Sequence, residues 1–217
     1  MSGWKPSELA DLRVSYAGGG LLESELAAAP LAQFDAWLRD VSAAGLPEPN
    51  AMALATVDAA GESSVRIVLL KGVDAAGFRF FTNLESRKAR AMRAHPQVSL
   101  VFPWFARHRQ VIVLGAAEPM SAAENAAYFR ARPRDSQLAA RASAQSAPLE
   151  SRAELDRRMA EEERRWPAGT EVPPPDFWGG FLVRAASVEF WQGRPSRLHD
   201  RLRYEAMRPG AALDDPG

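Results

Sequence analysis

The chain contains no cysteine. Disulfides, thiol nucleophiles and cysteine-ligated zinc or iron–sulfur centres are therefore excluded. Histidine is nearly as scarce. His95, His108 and His199 are far apart, and no His-Glu-x-x-His occurs, so no histidine metal site is expected. Net charge is zero, with 27 basic and 27 acidic side chains. The global basic field of a nucleic-acid binder and the polybasic signature of a membrane binder are both missing. No apolar run approaches the roughly 18 residues that span a bilayer. The polar start, MSGWKPSELADLR, lacks an apolar signal core. These absences predict a cytoplasmic protein with neither nucleic acid nor membrane as a partner. G-x-G-x-x-G, G-x-x-x-x-G-K-[ST] and G-x-S-x-G are also absent, so any phosphate must be held by side chains. Lysine is rare too: Lys5, Lys71 and Lys88 are the only ones among the 27 basic residues. Where a chain otherwise uses arginine, a lysine suits a compact point charge.

What is present suits one folded domain over residues 1–217. Apolar spacing predicts a short helix over 5–16 and another over 30–44, with Leu31, Phe34, Leu38 and Val41 on one face. Three strands follow, near 51–58, 64–71 and 77–82. The turns Asp58-Ala-Ala-Gly61 and Asp74-Ala-Ala-Gly77 predict that they form an antiparallel meander. A helix over 85–94 precedes strands at 97–104 and 109–119. Ser121 and Glu124 form a capping box opening a helix to about Ala131. Pro133 precedes another helix, to about Ala142, and 151–165 reads as a charged surface helix. Strands at 180–191 and 197–204 complete a fold of roughly seven strands. This is an α+β protein with an antiparallel sheet or barrel. Residues 1–20 are expected to include a mobile segment, and 206–217 to be a disordered tail.

Four clusters suit anions. In the first, Arg66 stands in the apolar run Val65–Leu70, where burial without a partner is costly. The second, Thr82 to Lys88, puts adjacent cations in the first turn of a helix. The dipole disfavours them there, and a bound phosphate would reverse that penalty. Tyr128, Arg132 and Ser136 form the third, at i, i+4 and i+8 around Pro133, and combine hydroxyls with a guanidinium. The fourth is Arg197-Leu198-His199-Asp200-Arg201. Read as a strand, it places Arg197, His199 and Arg201 on one face, beside Phe190-Trp191-Gln192-Gly193. Each cluster could instead be a solvated surface, and the aromatics an ordinary core. Together they suggest a small ligand carrying phosphate groups.

The motifs R-I-V-L-L-K, F-F-T-N-L-x-S-R-K, Y-F-x-x-R-P-R-D-S-Q and E-F-W-Q-G-x-x-x-R-L-H-D-R, in this order, resemble the pyridoxamine 5′-phosphate oxidase family from about Leu12 to Tyr204. The resemblance implies an FMN-binding split β-barrel, working as a homodimer with FMN at the interface. It implies oxidation of pyridoxamine or pyridoxine 5′-phosphate to pyridoxal 5′-phosphate, with oxygen as acceptor, in vitamin B6 metabolism. FMN would be held by Arg66, Ile67, Val68, Leu69, Leu70, Lys71, Phe81, Thr82, Arg87, Lys88, Gln110, Gln145, Ser146, Trp191 and Arg201. Lys71, Tyr128, Arg132 and Ser136 would grip the substrate phosphate. Arg197 and His199 would place the substrate on the flavin, and Arg13 and Tyr16 would cover it. Phe81 stands where the family often has tyrosine, and the family's closing Arg-Leu-x-Pro strand is missing. A related flavin oxidase of another aromatic substrate, or a noncatalytic flavin binder, is the alternative.

Overall fold

The computed structural model describes residues 6–12, 15–16 and 19–206. Arg13 and the tail 207–217 lie outside the described residues, as do 1–5, 14, 17 and 18. The strands are β1 (Ala51–Val57), β2 (Ser63–Leu69), β3 (Gly72–Asp74), β4 (Gly77–Asn83), β5 (Gln97–Trp104), β6 (Arg109–Pro119), β7 (Trp178–Gln192) and β8 (Asp200–Glu205). The helices are α1 (Pro6–Ala10), α2 (Pro30–Ala43), α3 (Arg87–Ala94), α4 (Ala122–Ala131), α5 (Arg134–Ala142) and α6 (Arg152–Arg165). All paired strands are antiparallel, in the order β2-β1-β5-β6-β7-β4-β3, with β8 also on β7.

The two Asp-x-x-Gly turns form as expected. Asp58 Oδ1 accepts the Ala60 and Glu62 amides, and Asp74 Oδ1 accepts that of Ala76. The expected three-strand meander does not. β2 pairs with β1 and β4 with β7, placing them toward opposite ends of the hydrogen-bonded order. The sheet curls until these ends approach, and the Lys71 amide donates to Arg79 O at 2.8 Å. The barrel is thus split between β2 and β4.

β7 makes this possible because it is long enough for three partners. β6 runs along one side, while β4 takes residues 178–183 and β8 takes 187–192 on the other. A register shift between Leu114 and Gly115 bends the ladder. Alternation then sends Met52, Leu54, Leu100, Phe102, Val111, Val113, Val188 and Phe190 inward. α2 covers this core with Phe34, Trp37 and Val41, helped by Pro30 at its first turn. Ser121 and Glu124 cap α4 as expected. Among the described residues, the helix expected over 5–16 forms only as α1.

Gly77 shows the tightness of the curl. It has φ +137°, and a Cβ there would stand 2.2 Å from Val183 O. Gly77→Ala is expected to destabilise the fold by at least about 2 kcal/mol through backbone strain and overpacking. Urea unfolding of the variant checks this; an unchanged midpoint would refute it.

The fourth cluster needs correcting. Arg197 is not on a strand. Pro195–Arg197 form a 3₁₀ turn in which Ser196 (φ 56°) and Arg197 (φ 61°) are left-handed. The ladder starts only at Asp200, opposite Gln192. Arg197, His199 and Arg201 therefore do not share a strand face.

Candidate functional site

The split opens into a cleft of about 1080 Å³. Its walls are β2, the end of β4, the start of α3, and the elbow between α4 and α5. It brings together Arg66, Ile67, Val68, Leu69, Lys71, Phe81, Thr82, Arg87, Lys88, Tyr128, Arg132, Ser136, Gln145 and Ser146. The first three sequence clusters thus meet in space. Leu70, expected with them, instead packs into the core. Asn83, from the second cluster, lines it too, as do Ser64 and Ser143; as small polar residues in ordinary contexts these two serines carry no signal in the sequence.

Lys88 is 8 % exposed. Its ammonium donates to Gln145 Oε1 (2.7 Å), Thr82 Oγ1 (3.1 Å) and Ser86 Oγ (3.4 Å), all neutral oxygens. Burial, and secondarily the Arg66 charge, pushes its pKa down to about 8. Arg66 donates to Leu54 O (2.8 Å), Thr56 Oγ1 (2.9 Å) and Ser64 Oγ (2.5 Å). Burial and then Arg87 lower its pKa. Ser86 caps α3 by accepting the Ala89 amide, and the Arg87 amide donates to Ser146 Oγ at 3.2 Å. Arg87 itself is exposed and lies 3.3 Å from Glu62.

The elbow is the second cationic wall. α4 stops at Ala131, Arg132 is extended (φ −74°, ψ 149°), and α5 starts after Pro133. Tyr128, Arg132 and Ser136 still reach one cleft, although no continuous helix aligns them. Phe81 stacks on Tyr128 (3.9 Å, 8°) and on Trp178 (5.3 Å, 7°). Gly180 leaves room for that ring, since a Cβ there would meet it at 2.8 Å. The Arg132 guanidinium lies 5.0 Å from the Trp178 centroid. Its Nη1 is buried without a hydrogen-bond partner. Burial lowers its pKa, opposed by Tyr128. Burial raises that of Tyr128, opposed by Arg132.

Arg66, Lys88 and Arg132 thus face one cleft with no carboxylate partner among the described residues. An orphaned buried guanidinium nitrogen and a buried ammonium held by neutral oxygens form a donor set for anions. Two phosphate groups, one at each wall, fit it.

The fourth cluster assembles elsewhere. Gln110, Trp191 and Arg201 are direct cross-strand neighbours on β6, β7 and β8. The His199 ring lies 4.6 Å from Trp191 and 5.5 Å from Tyr16, and Tyr16 also packs on His108 at 4.4 Å. Arg201 makes a bidentate pair with Glu189. Arg197 is exposed in its turn. Trp178, at the cleft, and Trp191 lie at opposite ends of β7, roughly 40 Å apart along the strand at about 3.3 Å per residue. Between the two groups runs an outward sheet face. One register row crosses it: Ile67, Ala53, Val101, Ile112, Glu189 and Arg203. Val65 (67 % exposed) and Ile67 (61 % exposed) make its edge apolar. Among the described residues no cluster suits a metal ion, and no helix is long and apolar enough to cross a membrane.

Fold and cleft together define an antiparallel split-barrel protein shaped for a small phosphorylated ligand. The chain belongs to the pyridoxamine 5′-phosphate oxidase family: that family's model matches residues 38–165, and the pyridoxine 5′-phosphate oxidase C-terminal dimerisation region matches 178–213. It is accordingly an oxidoreductase. A pyridoxine/pyridoxamine 5′-phosphate oxidase of Thermobifida fusca (strain YX) is 55 % identical over 202 residues, 93 % of this chain and 91 % of that protein. One from Alteromonas mediterranea is 50 % identical over 202 residues, 93 % and 95 % of the two chains. Among solved structures, PhzG from Burkholderia lata 383, in complex with tetrahydrophenazine-1-carboxylic acid, superposes with a TM-score of 0.81 at 29 % identity, covering 88 % of this chain and 94 % of its own. A pyridoxamine 5′-phosphate oxidase-related, FMN-binding protein of Nostoc punctiforme PCC 73102 shares the fold, with a TM-score of 0.68 at 16 % identity over 85 % of this chain and 95 % of its own.

Proposed function

We propose that this chain oxidises pyridoxamine 5′-phosphate or pyridoxine 5′-phosphate to pyridoxal 5′-phosphate, with FMN as cofactor and oxygen as final acceptor. Hydrogen peroxide is released, with ammonia when the substrate is the amine. The observation that carries the reading is that Arg66, Lys88 and Arg132 line the cleft without a carboxylate partner among the described residues. Arg66 and Lys88, with Thr82, Arg87, Gln145 and Ser146, would hold the FMN phosphate. Ile67, Val68, Leu69 and Phe81 would line its ring. Lys71, Tyr128, Arg132 and Ser136 would hold the substrate phosphate. When bound, FMN supplies the hydride acceptor. The protein's part is to hold the substrate carbon at reacting distance and exclude water.

The working form is a homodimer. Gln110, Trp191, Arg201, Arg197, His199 and the segment containing Tyr16 and Arg13 would complete the cleft of a second copy. The apolar outward face between the two groups supports this, because an isologous contact there would bring each group to the other's counterpart. The intact R-L-H-D-R and R-P-R-D-S-Q motifs favour the vitamin substrate over a phenazine precursor.

Anaerobic addition of pyridoxamine 5′-phosphate to purified yellow protein is the test. Bleaching of the flavin band, then return of colour and release of peroxide in air, is expected. A flavin that stays oxidised with this substrate and with pyridoxine 5′-phosphate would sink the proposal and leave a flavin oxidase of another aromatic substrate or a noncatalytic binder.

Lys88 gives a pH signature. Its pKa in the free protein is about 8, and a phosphate dianion beside it raises that value. Binding therefore takes up a proton, and FMN affinity should fall as pH rises through about 8, by at most about tenfold per unit. Lys88→Met is expected to weaken FMN binding by roughly 10- to 100-fold, as for hydrogen bonds to a charged group, and to flatten this alkaline fall. Fluorescence titration of apoprotein between about pH 7 and pH 9 decides it; a wild-type affinity constant across that range would refute the assignment.

A further inference from the structure

We propose that Arg194 and Asp200 are positioning residues whose ion pair closes the 193–200 turn and so locks His199 as its Nε2–H tautomer. The idea rests on the reading above that His199 meets the substrate.

The turn is intrinsically poor at holding its shape. Ser196 and Arg197 are consecutive left-handed residues without being glycine, a conformation that persists only when its surroundings enforce it. Three contacts do so. Arg194 Nε lies 3.0 Å from Asp200 Oδ2, bridging the turn's two ends. The same Oδ2 accepts the Leu21 amide at 2.8 Å, and Leu21 is buried in the main core. The Arg194 amide donates to His199 Nδ1 at 3.0 Å.

That last bond decides the chemistry. An imidazole nitrogen accepting an N–H carries no proton, so neutral His199 keeps its proton on Nε2. His199 then offers a donor, not an acceptor, to whatever lies beyond its ring. The Arg194 amide can hold this geometry only while residue 194 stays beside residue 199. A Cβ on Gly20 would stand 2.3 Å from Arg194 Nη1. The guanidinium therefore lies against the backbone of the segment that carries Tyr16, and Asp200 ties that segment and the turn together.

The test uses flavin-loaded protein labelled with ¹⁵N in its three histidines, at about pH 8, where an ordinary imidazole is neutral. Imidazole nitrogen shifts distinguish the two tautomers. Wild type is expected to show His199 solely as Nε2–H. Asp200→Ala and, independently, Arg194→Ala are expected to give a mixture, although Arg194→Ala retains the backbone donor. Asp200→Asn, which can still accept from Leu21 and Arg194, should restore most of the wild-type pattern. Where the protein oxidises pyridoxamine 5′-phosphate, Asp200→Ala should lower kcat/KM about tenfold, with little further loss when added to His199→Ala, as expected for coupled residues. An unchanged Nε2–H signal in both alanine variants, or losses that add fully to His199→Ala, would overturn the proposal. The tautomer readout needs no turnover. A mixed tautomer in a protein without oxidase activity would therefore support the lock and defeat the assigned function.

Discussion

Arg132→Ala is expected to raise the Michaelis constant for pyridoxamine 5′-phosphate by roughly 10- to 100-fold, with turnover at saturation little changed. The magnitude follows from the 1.5–3 kcal/mol typical of a hydrogen bond to a charged group. The split follows because a phosphate grip acts alike on ground and transition states. The structure adds a second expectation. Arg132 Nη1 is buried without a partner, and its pKa is lowered by burial, so the ligand-free protein bears an uncompensated desolvation cost. Arg132→Met, which keeps an apolar stem but removes the guanidinium that lies over Trp178, should remove that cost and raise the melting temperature of the free protein while weakening substrate binding. Such a site is poised for a ligand at the expense of the empty fold. Thermal unfolding with and without inorganic phosphate checks it. Phosphate should stabilise Arg132→Met less than wild type, because only the Arg66–Lys88 wall of the cleft remains to hold it. If turnover collapses while the Michaelis constant holds, Arg132 has another task.

Local pattern made much of this architecture legible. Alternation places β5 and β6 at the expected 97–104 and 109–119, because Val98, Leu100, Phe102, Val111 and Val113 must all turn inward. Ser121 and Glu124 mark the start of α4 because a capping box satisfies its donors locally. Failures came where distant partners decide. The β2–β4 meander looked right from its turns, yet β7 claims β4 and leaves β2 at the far edge. The short β3 forms because Gly72–Asp74 fold back on β4 through the Asp74 turn, a pairing that three residues cannot announce. Arg197 was misplaced because its alternation with His199 and Arg201 resembles a strand. Nothing in Pro195-Ser196-Arg197 demands two left-handed residues; the clamp from Arg194 to Asp200 does. In the site, the costly cations Arg66 and Lys88 are legible from their neighbours, and Arg132 from its spacing with Tyr128 and Ser136. The separation of the fourth cluster from the other three was not, since it depends on the length of β7.

That separation sets up the largest expected effect. Arg197→Ala should lower kcat/KM by roughly 100-fold or more, about 2.7 kcal/mol of lost transition-state stabilisation, with FMN content near normal. His199→Ala should cost less, because under the proposed function the cofactor would accept the hydride and His199 would only orient the substrate. Normal FMN content is expected because Arg197 stands exposed in its turn, away from the chain's own cleft, where Lys88 and Arg66 would hold the FMN phosphate. If each cleft is completed by a second copy, Arg132→Ala and Arg197→Ala damage different contributors to one site. Mixing the two variants under conditions of subunit exchange, with substrate held well below the Michaelis constant, should then restore activity. A random mixture puts half the protein into heterodimers, each with one site carrying both substitutions and one carrying neither, so about a quarter of sites regain wild-type composition at an isologous interface. Recovery toward a quarter of wild-type kcat/KM, from parents between about a tenth and a hundredth, is a signal that no rearrangement within one chain would produce. If mixing restores nothing while exchange is demonstrated by mass, Arg197 and Arg132 serve the same chain's site, and the turn must reach its own cleft by a movement along the sheet.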